Sequence, residues 1–123
     1  MQNKIFLKTR GDFGISLDDV QKVIEKHLRY RKKENAWIEL DIVSKAKMRR
    51  LNRDFLNHDY ATDVLSFPVA DFPTVAECDF IGTVVVCSDI IKSQAKKLNK
   101  SFDEEFYFYV CHGIDHLVGI HHK

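Results

Sequence analysis

A chain of 123 residues, 45% hydrophobic and 30% charged, has the size and balance of one soluble globular domain, which excludes a fibre, a disordered tail and a two-domain enzyme. A formal net charge of +1 excludes binding to a polyanion by bulk charge alone. The three cysteines, Cys78, Cys87 and Cys111, form no C-x-x-C pair, which excludes a disulfide framework and a thiolate zinc knuckle. Met1 to Lys8 carries no signal-peptide core and no later run approaches a membrane span, so a cytoplasmic location with no membrane partner is expected.

Residues Lys4 to Thr9 read as a first strand, closed by a Gly11 to Gly14 turn. Ser16 is placed to cap a helix that runs to about Tyr30, with Leu17, Val20, Val23, Ile24 and Leu28 at helical spacing. Ala36 to Val43 alternates, with Ile38, Leu40 and Ile42 on one face and Glu39 and Asp41 on the other, as a half-buried strand does. Ser44 caps the next helix, with Met48, Leu51 and Phe55 inward and the basic cluster Lys45, Lys47, Arg49, Arg50 and Arg53 outward. A second cluster, Arg29, Arg31, Lys32 and Lys33, ends the first helix. Each reads first as a solvated helix face or as cations near a helix C-terminus, and RNA contact is permitted by them rather than demanded.

Val64 to about Ala70 is expected to be a strand at or near an edge, because Pro68 cannot donate to a ladder. After the loop from Asp71 to Asp79, the nearly continuous apolar run Ile81 to Cys87 predicts a strand buried on both faces and antiparallel to its predecessor. Ser88 is expected to cap a helix through about Leu98, packed by Ile90, Ile91, Ala95 and Leu98. Ser101 and Glu104 form a capping-box pattern that opens a last helix. Its run Phe106 to Cys111, apolar on every side, predicts burial in the middle of the domain. The order β-α-β-α-β-β-α-α makes residues 1–123 a single α+β domain, a small four-stranded mixed sheet packed with about four helices.

Four of the six histidines fall in the last dozen residues, at His112, His116, His121 and His122. His112 and His116 are four apart, so on a helix they are offset by roughly 40° and one turn and can converge on one ion. Gly119 sits where the helix should stop, since a C-terminal cap needs the left-handed conformation. A third histidine just beyond it would complete three nitrogens around one Zn2+ ion and leave a tetrahedral position for water. His121 and His122 both compete for that place, and the spacing favours His122. Metzincin proteases use this H-x-x-x-H-x-x-G-x-x-H spacing with a glutamate after the first histidine as base. Here that position is Gly113, which disfavours peptide hydrolysis. Glu105, two turns before His112 on the same face, is expected to be a hydrogen-bonded buried or cleft acid.

Two blocks of the chain resemble the YbeY family of bacterial metal-dependent endoribonucleases. The histidine motif His112-Gly113 to His116-Leu117, Gly119 and His122 is one, and Leu51-Asn52 with Thr62-Asp63-Val64-Leu65-Ser66-Phe67-Pro68 is the other. Ile81-Gly82, Val84 to Val86 and Asp89 add a weaker match. The resemblance implies a zincin-like fold and one zinc held by His112, His116 and His122. It further implies single-stranded RNA as substrate, with 3'-end maturation of the small-subunit (16S) ribosomal RNA, ribosome quality control and ribosomal or small-subunit partners; DNA is not expected.

The chain departs from the family pattern at several positions. Leu56 stands where the family shows arginine and His58 where it shows lysine; Ala61, Thr83 and His121 replace a proline and two aspartates. A guanidinium is the natural bidentate partner of a phosphodiester, so the change at Leu56 leaves His58 or Arg53 as the nearest substitute cation. Asp115 replaces a leucine. Next to His116, it could act as a base, a fourth ligand or a residue steadying a ligand, or it could be an exposed acid without a role. The alternative to a nuclease is a zinc-stabilised, ribosome-associated RNA-binding factor with weak or no catalysis.

Overall fold

The computed structural model describes residues 4–8, 16–34, 36–68 and 79–120. The Gly11 to Gly14 turn, the loop expected from Asp71, the end of the strand expected at Ala70, and both candidate third histidines lie outside the described residues. The elements follow the expected order: β1 (Lys4–Lys8), α1 (Leu17–Tyr30), β2 (Ala36–Val43), α2 (Lys45–Leu56), β3 (Val64–Pro68), β4 (Asp79–Cys87), α3 (Ser88–Lys97) and α4 (Phe102–Leu117). The strands form one sheet in the order β1-β2-β4-β3. β1, β2 and β4 run parallel, and β3 is an antiparallel edge strand in which Pro68 faces Gly82 of β4. A proline at the end of an edge strand costs the ladder little.

Strand alternation divides the apolar residues between two layers. Ile38, Leu40 and Ile42 of β2 and Val84 and Val86 of β4 pack with α1, with Ile91 of α3 and with Phe106, Val110 and Ile114 of α4. On the opposite face Val43, Leu65, Val85 and Cys87 pack with Met48 of α2. Full burial of each large aliphatic or aromatic side chain contributes roughly 1.5–3 kcal/mol, so the α1 and α4 side holds most of the core. β4 is buried on both faces because it has a helical layer on each.

The ends of the helices depend on local chemistry. Ser16 Oγ accepts from Asp19 N, Ser44 Oγ from Lys47 N, and Ser101 with Glu104 completes the capping box. The expected cap at Ser88 is a correction: Cys87 holds the N-cap position without a side-chain bond, and Ser88 is the buried first residue of α3. Asp89 instead caps a different helix, its Oδ2 accepting from Lys45 N at 3.0 Å. Four apolar helical assignments also change: Leu17 is 54%, Phe55 65%, Leu98 54% and Phe108 59% exposed.

Candidate functional site

α4 crosses the α1 side of the sheet close to β3 and β4. The close approach is made at Gly113, where a Cβ would lie 2.6 Å from Val84 Cγ1, 3.1 Å from Val64 Cγ2 and 3.3 Å from Ser66 Oγ. The Ser66 hydroxyl donates to the Gly113 carbonyl at 3.0 Å. That bond sets the helix against the edge strand. The position that holds the base in metzincins therefore has no room for a side chain, so Gly113 is a packing requirement of this fold.

His112 and His116 flank this contact on the same helix, with ring centroids 4.7 Å apart. Two imidazoles sharing a tetrahedral zinc at about 2.0–2.1 Å per nitrogen have centroids about 5 Å apart, so the pair fits one ion. The His116 Nε2 is shielded from solvent. Among the described residues no group of three or more metal-donor side chains gathers, and the candidates His121 and His122 lie outside them. The His112 ring lies nearly parallel to Phe108, at 18° and 6.3 Å between centroids.

The helix ends where expected. Gly119 has φ +86°, its N–H donates to the His116 carbonyl at 3.2 Å, and Ile120 N donates to the Asp115 carbonyl at 2.8 Å. This is the paired bonding of a Schellman cap, which turns the chain back immediately after His116.

Asp115 is buried and turned towards α1. Its Oδ1 and Oδ2 accept from Arg31 Nε at 2.7 Å and Nη2 at 2.9 Å, a two-pronged contact. His27 Nε2 also lies 2.6 Å from Oδ1, which requires that nitrogen to carry the proton. Asp115 thus ties the histidine segment to the end of α1, and the pairing raises Arg31 further above its ordinary value. Sequence reasoning found neither partner, since they lie 84 and 88 positions away in the chain. Replacing Arg31 with Met is expected to lower the melting temperature more than the double change Arg31→Met, Asp115→Leu. The single change strands a buried carboxylate, whereas the pair of changes removes both charges. Thermal melts followed by circular dichroism would reverse this order if the ion pair were incidental.

Cys111 faces the same side. Burial above all, and the Asp115 carboxylate next, push its thiol up to about 11, against a smaller opposing effect of Arg31. At pH 8 such a thiol is about 0.1% ionised, against roughly a quarter for an ordinary cysteine. Iodoacetamide should therefore modify Cys111 at least about 10-fold more slowly than a free thiol, as peptide mapping by mass spectrometry would measure.

The other expected site residues are distributed differently. Glu105 is buried, with Lys100 Nζ 3.8 Å from its carboxylate. Tyr109 is raised above its usual value by burial first, then by the Asp63 and Glu105 carboxylates and its hydrogen bond to Asp63. His58 is exposed on the turn between α2 and β3, its ring 5.4 Å from Tyr60. Asn52 organises that turn: its amide donates to the Tyr60 carbonyl at 2.9 Å and its own carbonyl accepts from His58 N. Leu56 is exposed at the end of α2. In the basic cluster, Arg49 makes a two-pronged contact with Asp59, Arg53 reaches Asp54 and Lys47 lies 3.9 Å from Asp41.

The arrangement has known counterparts. The family model described as endoribonuclease YbeY matches residues 7–123. The chain belongs to that family. Among its relatives, the endoribonuclease YbeY of Wigglesworthia glossinidia brevipalpis is 37% identical over 86 residues, covering 70% of this chain and 56% of that protein. That of Persephonella marina is 31% identical over 122 residues, covering 98% of this chain and 80% of the relative. The solution structure of TM1509 from Thermotoga maritima matches with a TM-score of 0.65 at 26% identity, over 98% of this chain and 75% of that one. The chain spans little more than half the length of the first of these relatives. No helix among the described residues is long and apolar enough to cross a membrane.

Proposed function

We propose that this chain is a zinc-dependent endoribonuclease that cuts single-stranded RNA, acting in 3'-end maturation of the small-subunit ribosomal RNA and in ribosome quality control alongside ribosomal partners. The observation that carries the reading is the convergent His112 and His116 pair on α4, in a chain that belongs to the YbeY family. His122 is the third ligand in this proposal. When bound there, zinc supplies Lewis acidity, lowering the pKa of water towards neutrality and withdrawing charge from a phosphoryl oxygen.

The protein's own groups prepare that chemistry. His112 and His116 present their ring nitrogens from one rigid helix, and rigid elements make precise sites. The bond from Ser66 to the Gly113 carbonyl and the contacts of Asp115 with Arg31 and His27 hold that helix from opposite sides. Arg31 also compensates the Asp115 charge, so an approaching phosphodiester meets a neutral pair instead of an anion. With both oxygens of Asp115 engaged, its part is to position the helix.

A zinc-stabilised RNA-binding factor is the second reading, favoured by Leu56 at the arginine position and by Asp59 occupying the guanidinium of Arg49. The test is cleavage of a labelled single-stranded ribosomal RNA fragment by zinc-loaded and chelator-stripped protein. Cleavage lost on stripping and restored by zinc is the expected result. Stoichiometric zinc and RNA binding without cleavage would transfer the proposal to the binding factor.

A further inference from the structure

Phe108 departs from its neighbours on α4. Phe106 and Val110 are fully buried, yet Phe108 is exposed in the middle of the same apolar run. With Tyr107, Cys111, His112, Glu104 and Asp115 it lines an open, largely apolar cavity of about 530 Å³, within the range of roughly 300–1,000 Å³ typical of small-ligand sites. His112 is both a wall of this cavity and a member of the histidine pair, so the cavity borders the candidate metal site. The Phe108 ring, nearly parallel to His112, presents an aromatic face beside it. Across the cavity rim, Asp115 leads to Arg31 and the cationic end of α1, where Lys32 and Lys33 are exposed and Arg29 is held by Glu25 at 2.6 Å.

We propose that this cavity is a stacking subsite for one unpaired base of the RNA strand, next to the phosphate that the histidine site addresses. The inference rests on the nuclease reading and adds the means by which the strand is held. An aromatic face and an apolar floor take any base by stacking, because every base has a π-face, and the cations at the end of α1 suit the flanking phosphates. A base in a duplex is already stacked on both sides and cannot enter. The subsite therefore selects single strands with little preference for sequence. Phe108 is a binding residue here, set on a helix that the Ser66 and Arg31 contacts hold in place.

The test compares wild type, Phe108→Ala and Phe108→Trp in binding a fluorescein-labelled single-stranded oligouridine, by anisotropy with metal chelated so that no cleavage intervenes. Loss of one base–aromatic stack weakens single-strand binding about 5- to 150-fold, so Phe108→Ala should raise Kd by that factor. Phe108→Trp should restore binding, and its new indole emission should be quenched as the RNA binds. Because the residue is exposed, all three proteins should share one circular dichroism spectrum. An alanine variant that binds within about twofold of wild type, while the zinc-loaded protein still cuts RNA, would overturn the subsite and spare the nuclease. An equal loss on duplex RNA would also overturn it. Wild-type protein that neither binds nor cuts single strands would overturn both readings together.

Discussion

Replacing His116 with alanine is expected to reduce cleavage of single-stranded RNA by on the order of 10³-fold, with zinc content falling from one ion per chain towards zero. The estimate follows from the several kcal/mol that a bound metal supplies to charge development, since each 1.4 kcal/mol or so is a factor of ten in rate. His116 is the better of the two histidines for this measurement. Its Nε2 is shielded, its ring lies beside His112, and the Schellman cap begins from its carbonyl, which alanine retains. The variant should therefore keep its helical spectrum while losing metal. Cleavage that persists in a folded His116→Ala protein would remove the metal mechanism, whereas loss of zinc without loss of RNA binding would show that the strand is held by other groups.

Substitution of Gly113 should have the largest effect on stability. A Cβ there would stand 2.6 Å from Val84 Cγ1, and Val84 is a fully buried, β-branched residue of a central strand that has one favoured rotamer and nowhere to retreat. Overpacking of this kind costs typically 1–3 kcal/mol. The higher helix propensity of alanine returns about 1 kcal/mol, so Gly113→Ala is expected to be destabilising by up to about 2 kcal/mol. Gly113→Glu, which would recreate the metzincin sequence, adds a buried carboxylate to the same clash and should lose more than about 4 kcal/mol. Urea denaturation would measure both. A Gly113→Glu protein as stable as wild type would mean that α4 can lift from the sheet, contrary to the packing and to the bond from Ser66 to the Gly113 carbonyl.

Much of the framework was legible in the sequence because it rests on interactions within a few residues. The period of two in Ala36 to Val43, the capping groups at Ser16, Ser44 and Ser101, the positive φ required at Gly119 and the edge position of Pro68 all act locally, and the structure contains each of them. The four-residue spacing of His112 and His116 likewise brought their rings together without help from the rest of the chain.

Where sequence reasoning departed from the structure, the deciding contact came from a distant segment. Helical spacing put Phe55, Leu98 and Phe108 on apolar faces, but spacing reports only which residues share a face. Whether a neighbour covers that face is decided by the rest of the fold, and these three stay exposed. Ser88 had the composition of a cap, yet the chain passes directly from β4 into α3 at Cys87, and Asp89 caps α2 instead. The local sequence therefore determined the elements, their order, the caps at Ser16, Ser44, Ser101 and Gly119, and the histidine pair. The tertiary structure decided the neighbours: Arg31 and His27 against Asp115, and Ser66 and Val84 against Gly113. Those contacts depend on which helix lies across which strand, and residues tens of positions apart carry no local signal of that crossing.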